Sequence, residues 1–201
     1  NVDIFRDARL KIKIVVLVIA VFATPLVLML YDMVDFRFKI FQEETLWKEI
    51  FITGLLEEFI KIFPVLLALL FFRKSFSSPF TLLAASIASS LYFSFEENII
   101  YFKDYYDITI VASRSIYSTT MHIISGAFVV YGIILFRYSK RSVFLIPLFF
   151  LFGITIHGLY NYSLISGYNL FTIFLLIAGT FSLSSFINNA LNNSGNFDES
   201  K

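Results

Sequence analysis

Three ionisable side chains, Glu57, Glu58 and Lys61, interrupt the apolar run ITGLLEEFIKIFPVLLALLFF at residues 52–72. Charged groups at membrane depth are costly; they pair with one another or mark a functional site. Lys61 follows Glu57 by four residues and Glu58 by three, so its ammonium can reach either carboxylate along one helix face. One cation covers one carboxylate and leaves the other for chemistry. Further on, LYFSFEENIIYF carries Glu96 and Glu97. Glu97 shares a helix face with Phe93 and Tyr101, with Asn98 beside it, and is expected to face the bundle interior. Glu96 is expected to turn towards water. The chain's two histidines are His122 in STTMHIISGAF and His157 in GITIHGLYNYS. Each has a companion four residues on. Gly126 permits close approach of another backbone or a substrate, and Asn161 can orient an imidazole or donate a second hydrogen bond.

Carboxylates and imidazoles therefore define the available chemistry. Two adjacent carboxylates sharing one ammonium are inequivalent, so one can serve as a base while the other stays a structural anion. Such a base can take a proton from a water that attacks a peptide carbonyl, with the histidines and Asn161 stabilising the oxyanion. Other routes lack their residues. There is no HExxH motif, no cysteine, no serine in a recognisable nucleophile context, and all seven aspartates lie in loops or at chain ends. The Glu and His side chains could also hold zinc or another divalent ion. Lys61 opposes a cation there, so the expectation is catalysis without a metal. Two rival readings use the same residues: a proton- or cation-coupled transporter, and a non-catalytic scaffold held together by the cluster.

Helices must carry these groups. Of the 201 residues, 58% are hydrophobic and only 15% charged, against about 25% charged in ordinary soluble domains. The mean hydropathy is +0.78. Six apolar segments, 12–31, 47–72, 79–102, 108–136, 142–165 and 168–187, each approach the roughly 20 residues a membrane helix needs. The expected fold is an all-α polytopic membrane protein, a bundle of about six transmembrane helices with the site inside. Residues 1–187 form one transmembrane catalytic domain, and 188–201 a polar, disordered tail. Residues 12–31 read as a retained span rather than a signal peptide. Placing both termini in the cytoplasm leaves ten Lys and Arg inside and five outside, Arg114 among the latter, as the positive-inside rule favours. Glu57 then lies about 16 residues, or roughly 24 Å, from the inner end of its span. His157 lies at similar depth, His122 about 14 residues into the fourth span from outside, and Glu97 closer to the outer surface. A net charge of +1 without a basic tract gives no sign of nucleic acid.

The ordered set EEFIK (57–61), FSFEEN (93–98), RSIYSTTMHIISG (114–126) and HGLYN (157–161) resembles the PrsW family of intramembrane proteases. That family belongs with the type II CAAX prenyl endopeptidases and Abi proteins. The likeness spans about half of the chain. It implies a glutamate-dependent protease of the cell membrane that cuts a single-span protein, such as an anti-sigma factor, near the extracytoplasmic surface. Glu57 would be the base, Glu58 and Lys61 its support, and His157 and Asn161 the oxyanion site. Glu97 stands where the CAAX branch has a histidine, and His122 belongs to the shared pattern. Arg114, Phe93, Asn98 and Gly126 would support the site. One departure is SSLYF (89–93), where relatives usually carry glycine; it bears on helix packing.

Overall fold

The computed structural model describes residues 45–194, with Val18 and Pro25 before them. The first apolar segment, 12–31, and the basic residues ahead of it otherwise lie outside the described residues, as do 195–201. Everything regular in the described part is helical. A single turn, α1 (Leu46–Lys48), runs into a π-helical segment (Glu49–Gly54), which continues as α2 (Leu55–Phe71). A 3₁₀ turn (Arg73–Ser75) leads to α3 (Pro79–Tyr105), followed by α4 (Ile108–Ser139), α5 (Leu145–Ile165) and α6 (Asn169–Ser194).

The boundaries follow local chemistry. Ser78 Oγ accepts from Thr81 N at 3.2 Å with Pro79 in the first turn, a side-chain cap plus a preset φ. Asp107 Oδ1 caps α4 by accepting from Thr109 N at 2.8 Å. Tyr106 and Lys140 take left-handed φ values of 50° and 51° to end α3 and α4.

α4 is the central helix, packing on α2, α3, α5 and α6. Glycines let α5 lie close against it. A Cβ on Gly132 would meet Leu145 O at 2.6 Å, and one on Gly153 would meet Ser125 O at 2.9 Å. Small residues at such contacts are how membrane helices approach. At one end the bundle is filled by Ile62, Val65, Ala68, Leu82, Leu83, Val130 and Ile134. Large apolar side chains meanwhile cover the outside: Leu170 is 86% exposed and Phe144 78%. That is the inverse of a soluble protein and suits a lipid surround.

All five apolar segments within the described residues are helical. Three of the described helices are long and apolar enough to cross a membrane: α4, α5 and Asn169–Asn192 of α6. The other two fall short for visible reasons. The π segment cuts the second to 17 α-helical residues, and α3 carries serines, Glu96, Glu97, Asn98, Lys103 and Asp104 along its length. The segment expected to be a disordered tail from residue 188 instead continues α6 to Ser194. There Asn189 donates to the Tyr131 hydroxyl and Ala190 is buried. The Asn189–Tyr131 contact and the buried Ala190 help to hold the extra turns against the bundle.

Candidate active site

The groups singled out in the sequence come from four helices and meet at one place. α2 supplies Glu57, Glu58 and Lys61 from its first two turns, directly after the π segment. Glu58 and Lys61 are buried at 0% and 2% exposure, and the two form an ion pair. Lys61 Nζ also lies 3.1 Å from Ser125 Oγ and 3.3 Å from His122 Nδ1 on α4. A cation with three such partners satisfies the usual condition for burial.

His122 links this group to α3 and the start of α4. Its Nε2 lies 2.7 Å from Glu97 Oε2. An ammonium beside Nδ1 and a carboxylate beside Nε2 match the Nε2–H tautomer, which accepts from Lys61 and donates to Glu97. The other oxygen of Glu97 receives Arg114 at 2.8 Å, and the Arg114 guanidinium stacks 3.5 Å from the centre of the Tyr101 ring. Phe93 packs edge-on against His122, with ring centres 5.1 Å apart.

His157 on α5 completes the arrangement. Its ring stands edge-on to that of His122 at 4.9 Å. Nδ1 lies 2.8 Å from Glu58 Oε1, an ion-pair distance but off the axis of a hydrogen bond, so it has no hydrogen-bond partner. Nε2 lies 3.3 Å from Glu57 Oε2, another buried atom without a hydrogen bond. The three carboxylates are thus held unequally. Glu58 is tied to Lys61 through Oε1 and Glu97 to His122 and Arg114. Glu57 and Glu58 each keep a buried Oε2 without a hydrogen bond, and of these two carboxylates Glu57 faces the cavity.

A cavity of about 400 Å³ reaches this point, lined by Lys48, Thr53, Glu57, Glu97, Arg114 and Asn161 among others. Two expected supporting residues serve packing instead. Asn98 turns from the cavity towards Ser115 Oγ, 3.5 Å away. Gly126 admits α3: a Cβ there would fall 2.3 Å from Ser90 Oγ, and Ser86 Oγ donates to Gly126 O at 2.9 Å. Glu96, expected to turn to water, accepts from Tyr92 OH at 2.6 Å and is half-buried.

Sequence reasoning passed over Ser125 and Gly158. A Cβ on Gly158 would lie 2.4 Å from Ile50 Cα and 2.5 Å from Glu49 O. Only glycine lets α5 rest directly on the π segment, which sets the neighbouring His157 against Glu57 and Glu58. A glycine beside an intramembrane histidine was the available signal.

The whole arrangement sits within a recognised family pattern. The model of the PrsW family of intramembrane metalloproteases matches residues 9–185. The chain belongs to that family. A PrsW family member is an intramembrane protease, and the apolar helices fit a membrane protein. No protein of curated function and no solved structure matches the chain. The donors present include a set that fits the metal of the PrsW description. Glu57, His122 and His157 each offer an atom, all within 4.8 Å of one another, and a carboxylate with two imidazoles is a zinc-type set. The unbonded Glu57 Oε2 fits such a role, as do the carboxylates behind the two imidazoles, Glu58 at His157 and Glu97 at His122. Lys61, 3.3 Å from His122 Nδ1, is the group that opposes it.

Proposed function

We propose that the chain is an endopeptidase that hydrolyses a membrane-anchored protein, with Glu57 taking the proton from the attacking water. The observation that carries this reading is the contrast among the carboxylates. Glu57 lines the cavity with a buried oxygen that makes no hydrogen bond, 3.3 Å from His157 Nε2, whereas Glu58 is sealed from the cavity in its ion pair with Lys61 and Glu97 is ion-paired to Arg114 and His122. A base needs a free lone pair within reach of its proton donor. A water held beside Glu57 and His157 would give one proton to Glu57 as its oxygen bonds to the scissile carbonyl carbon. Glu57 would pass that proton to the amine nitrogen as the C–N bond breaks. Asn161, on the same cavity wall, and His157 would donate to the oxyanion. Glu58 and Lys61 would hold His157 and Glu57 in register.

The second reading, favoured by the spacing of the donors, has Glu57, His122 and His157 hold a divalent ion. When bound, such an ion polarises a carbonyl and acidifies water. Exhaustive chelation followed by zinc addition separates the readings. Cleavage survives chelation under the first, and is lost then restored under the second. A transporter is less well supported, because the apolar cluster around Val65, Leu82 and Val130 fills the bundle beyond Lys61.

The substrate proposed is a single-span protein of the anti-sigma-factor kind, cut near the extracytoplasmic leaflet, with the enzyme multi-pass and both its termini cytoplasmic. Support comes from the cavity rim. It is built from Lys48, Tyr101, Arg114 and Ile165, all at helix ends that the Lys and Arg distribution assigns to the outside. The test compares N-termini of membrane proteins in cells expressing the wild type or Glu57→Gln. A fragment made by the first and missing with the second identifies substrate, cut site and membrane face. Equal fragments in both would overturn the reading. Loss of a general base should slow cleavage by about 10²–10⁴-fold.

A further inference from the structure

Resting on the peptidase reading, we propose that the substrate reaches Glu57 sideways from the bilayer, as an extended segment passing between the π segment and α3. The cavity has four walls: the π segment with the start of α2, then α5, α4 and α3. Three of the four seams between them are closed. The π segment rests on α5 at Gly158, α5 packs on α4, and α4 packs on α3. At the fourth seam, no Cα of the π segment comes within 8 Å of a Cα of α3 among the described residues. The two meet only deeper, where Ser89 Oγ donates to Lys61 O at 2.6 Å on α2. The gap is therefore a wedge, closed at Lys61 and widening outwards, with Thr53 and Glu57 on one flank and Phe93, Glu97 and Ile100 on the other. Ile100, on the α3 flank of the wedge, is exposed, so the wedge carries an apolar side chain out to the protein surface.

The occupant follows from continuity with the cavity and from size. A helix with its side chains is about 10–12 Å across, too wide for a cavity of about 400 Å³ that must also seat a water. A single extended strand fits. Its peptide groups, taken out of both water and helix, need partners inside the protein, and Thr53 and Asn161 line the path. The substrate class is accordingly a transmembrane protein whose helix ends or breaks next to the scissile bond.

The chain contains no cysteine, so Thr53→Cys/Ile100→Cys can be linked across the wedge with a flexible bifunctional thiol reagent. The full chain, in vesicles of phosphatidylcholine and phosphatidylglycerol, is given two probes. One is a single-span reporter carrying the cut site found by the N-terminal comparison; the other is a soluble peptide of the same site. Compared with the same double variant before linking, linking should abolish cleavage of the reporter and leave the ratio of peptide cleavage near one, because the peptide reaches the cavity from its aqueous end. Cleaving a thiol-cleavable linker should restore the reporter reaction to the level of the unlinked variant. Undiminished reporter cleavage by the linked protein would overturn the route. So would efficient disulfide formation between Val18→Cys and Thr53→Cys, which would seat the chain's own leading apolar segment in the wedge. Failure of the wild type to cleave either probe would instead remove the peptidase reading, and the route with it.

Discussion

Glu57 and Glu58 are adjacent and chemically identical, yet one helical step separates a cavity wall from a sealed ion pair. Removing one partner of a buried pair strands the other charge and typically costs about 3–5 kcal/mol. Lys61→Met should therefore lower the thermal unfolding temperature in detergent strongly, and Glu58→Gln likewise. The double variant should recover much of the stability but no activity, because His157 has lost the carboxylate beside Nδ1. Glu57→Gln should unfold close to wild type, since Glu57 Oε2 makes no hydrogen bond to lose. The sequence disclosed the members of this cluster, because charge within apolar runs is conspicuous. It also showed that one lysine could not serve both carboxylates. It did not disclose which was left over, because Lys61 reaches i−3 and i−4 equally well and the choice depends on Ser125 and His122 from a distant helix.

At the scale of elements, two glycines separate contact that can yield from contact that cannot. Gly126→Ala meets a serine hydroxyl that can rotate, and Ser90 Oγ makes no hydrogen bond to lose. Gly158→Ala meets the backbone of the π segment. The first should be tolerated within about 1 kcal/mol, while the second should show the roughly 1–3 kcal/mol of overpacking and lose cleavage as His157 moves away. Unfolding and turnover measured on both variants check this. The helix α3–α4 contact also accounts for the unusual SSLYF stretch: serine stands on α3, and the glycine that admits it is Gly126 on α4. The cap of α4 has its own pH signature. Hydrogen bonds from Thr109 hold the Asp107 carboxyl below its ordinary range, so the cap's contribution is full above the unfolded value and lost as pH falls through the lower folded one. Amide-exchange protection in the first turn of α4 should drop with acid in the wild type, and much less in Asp107→Asn. Helices were readable from apolar length, whereas the caps at their ends, at Ser78, Pro79 and Asp107, emerged only with the fold. The π segment was not, because EIFITG has no composition that distinguishes it; its geometry comes from α5 pressing on it at Gly158.

For the whole molecule, hydropathy identified where helices lie better than which of them cross a membrane unaided. α4, α5 and α6 have the length and apolarity to do so, whereas α2 and α3, which carry every catalytic carboxylate proposed above, do not. Three serines of α3 are satisfied by neighbouring helices: Ser86 by Gly126 O and Ser94 by Thr119 Oγ1 on α4, and Ser89 by Lys61 O on α2. During synthesis, however, α3 leaves the ribosome before α4 exists to receive Ser86 and Ser94. Its insertion must therefore wait for a helix that has not yet been made, or be held meanwhile by the insertion machinery. Expressed alone between soluble reporters, α3 should fail to integrate, and the α3–α4 hairpin should succeed. The helix that carries Glu97 would then be one that cannot enter the membrane by itself.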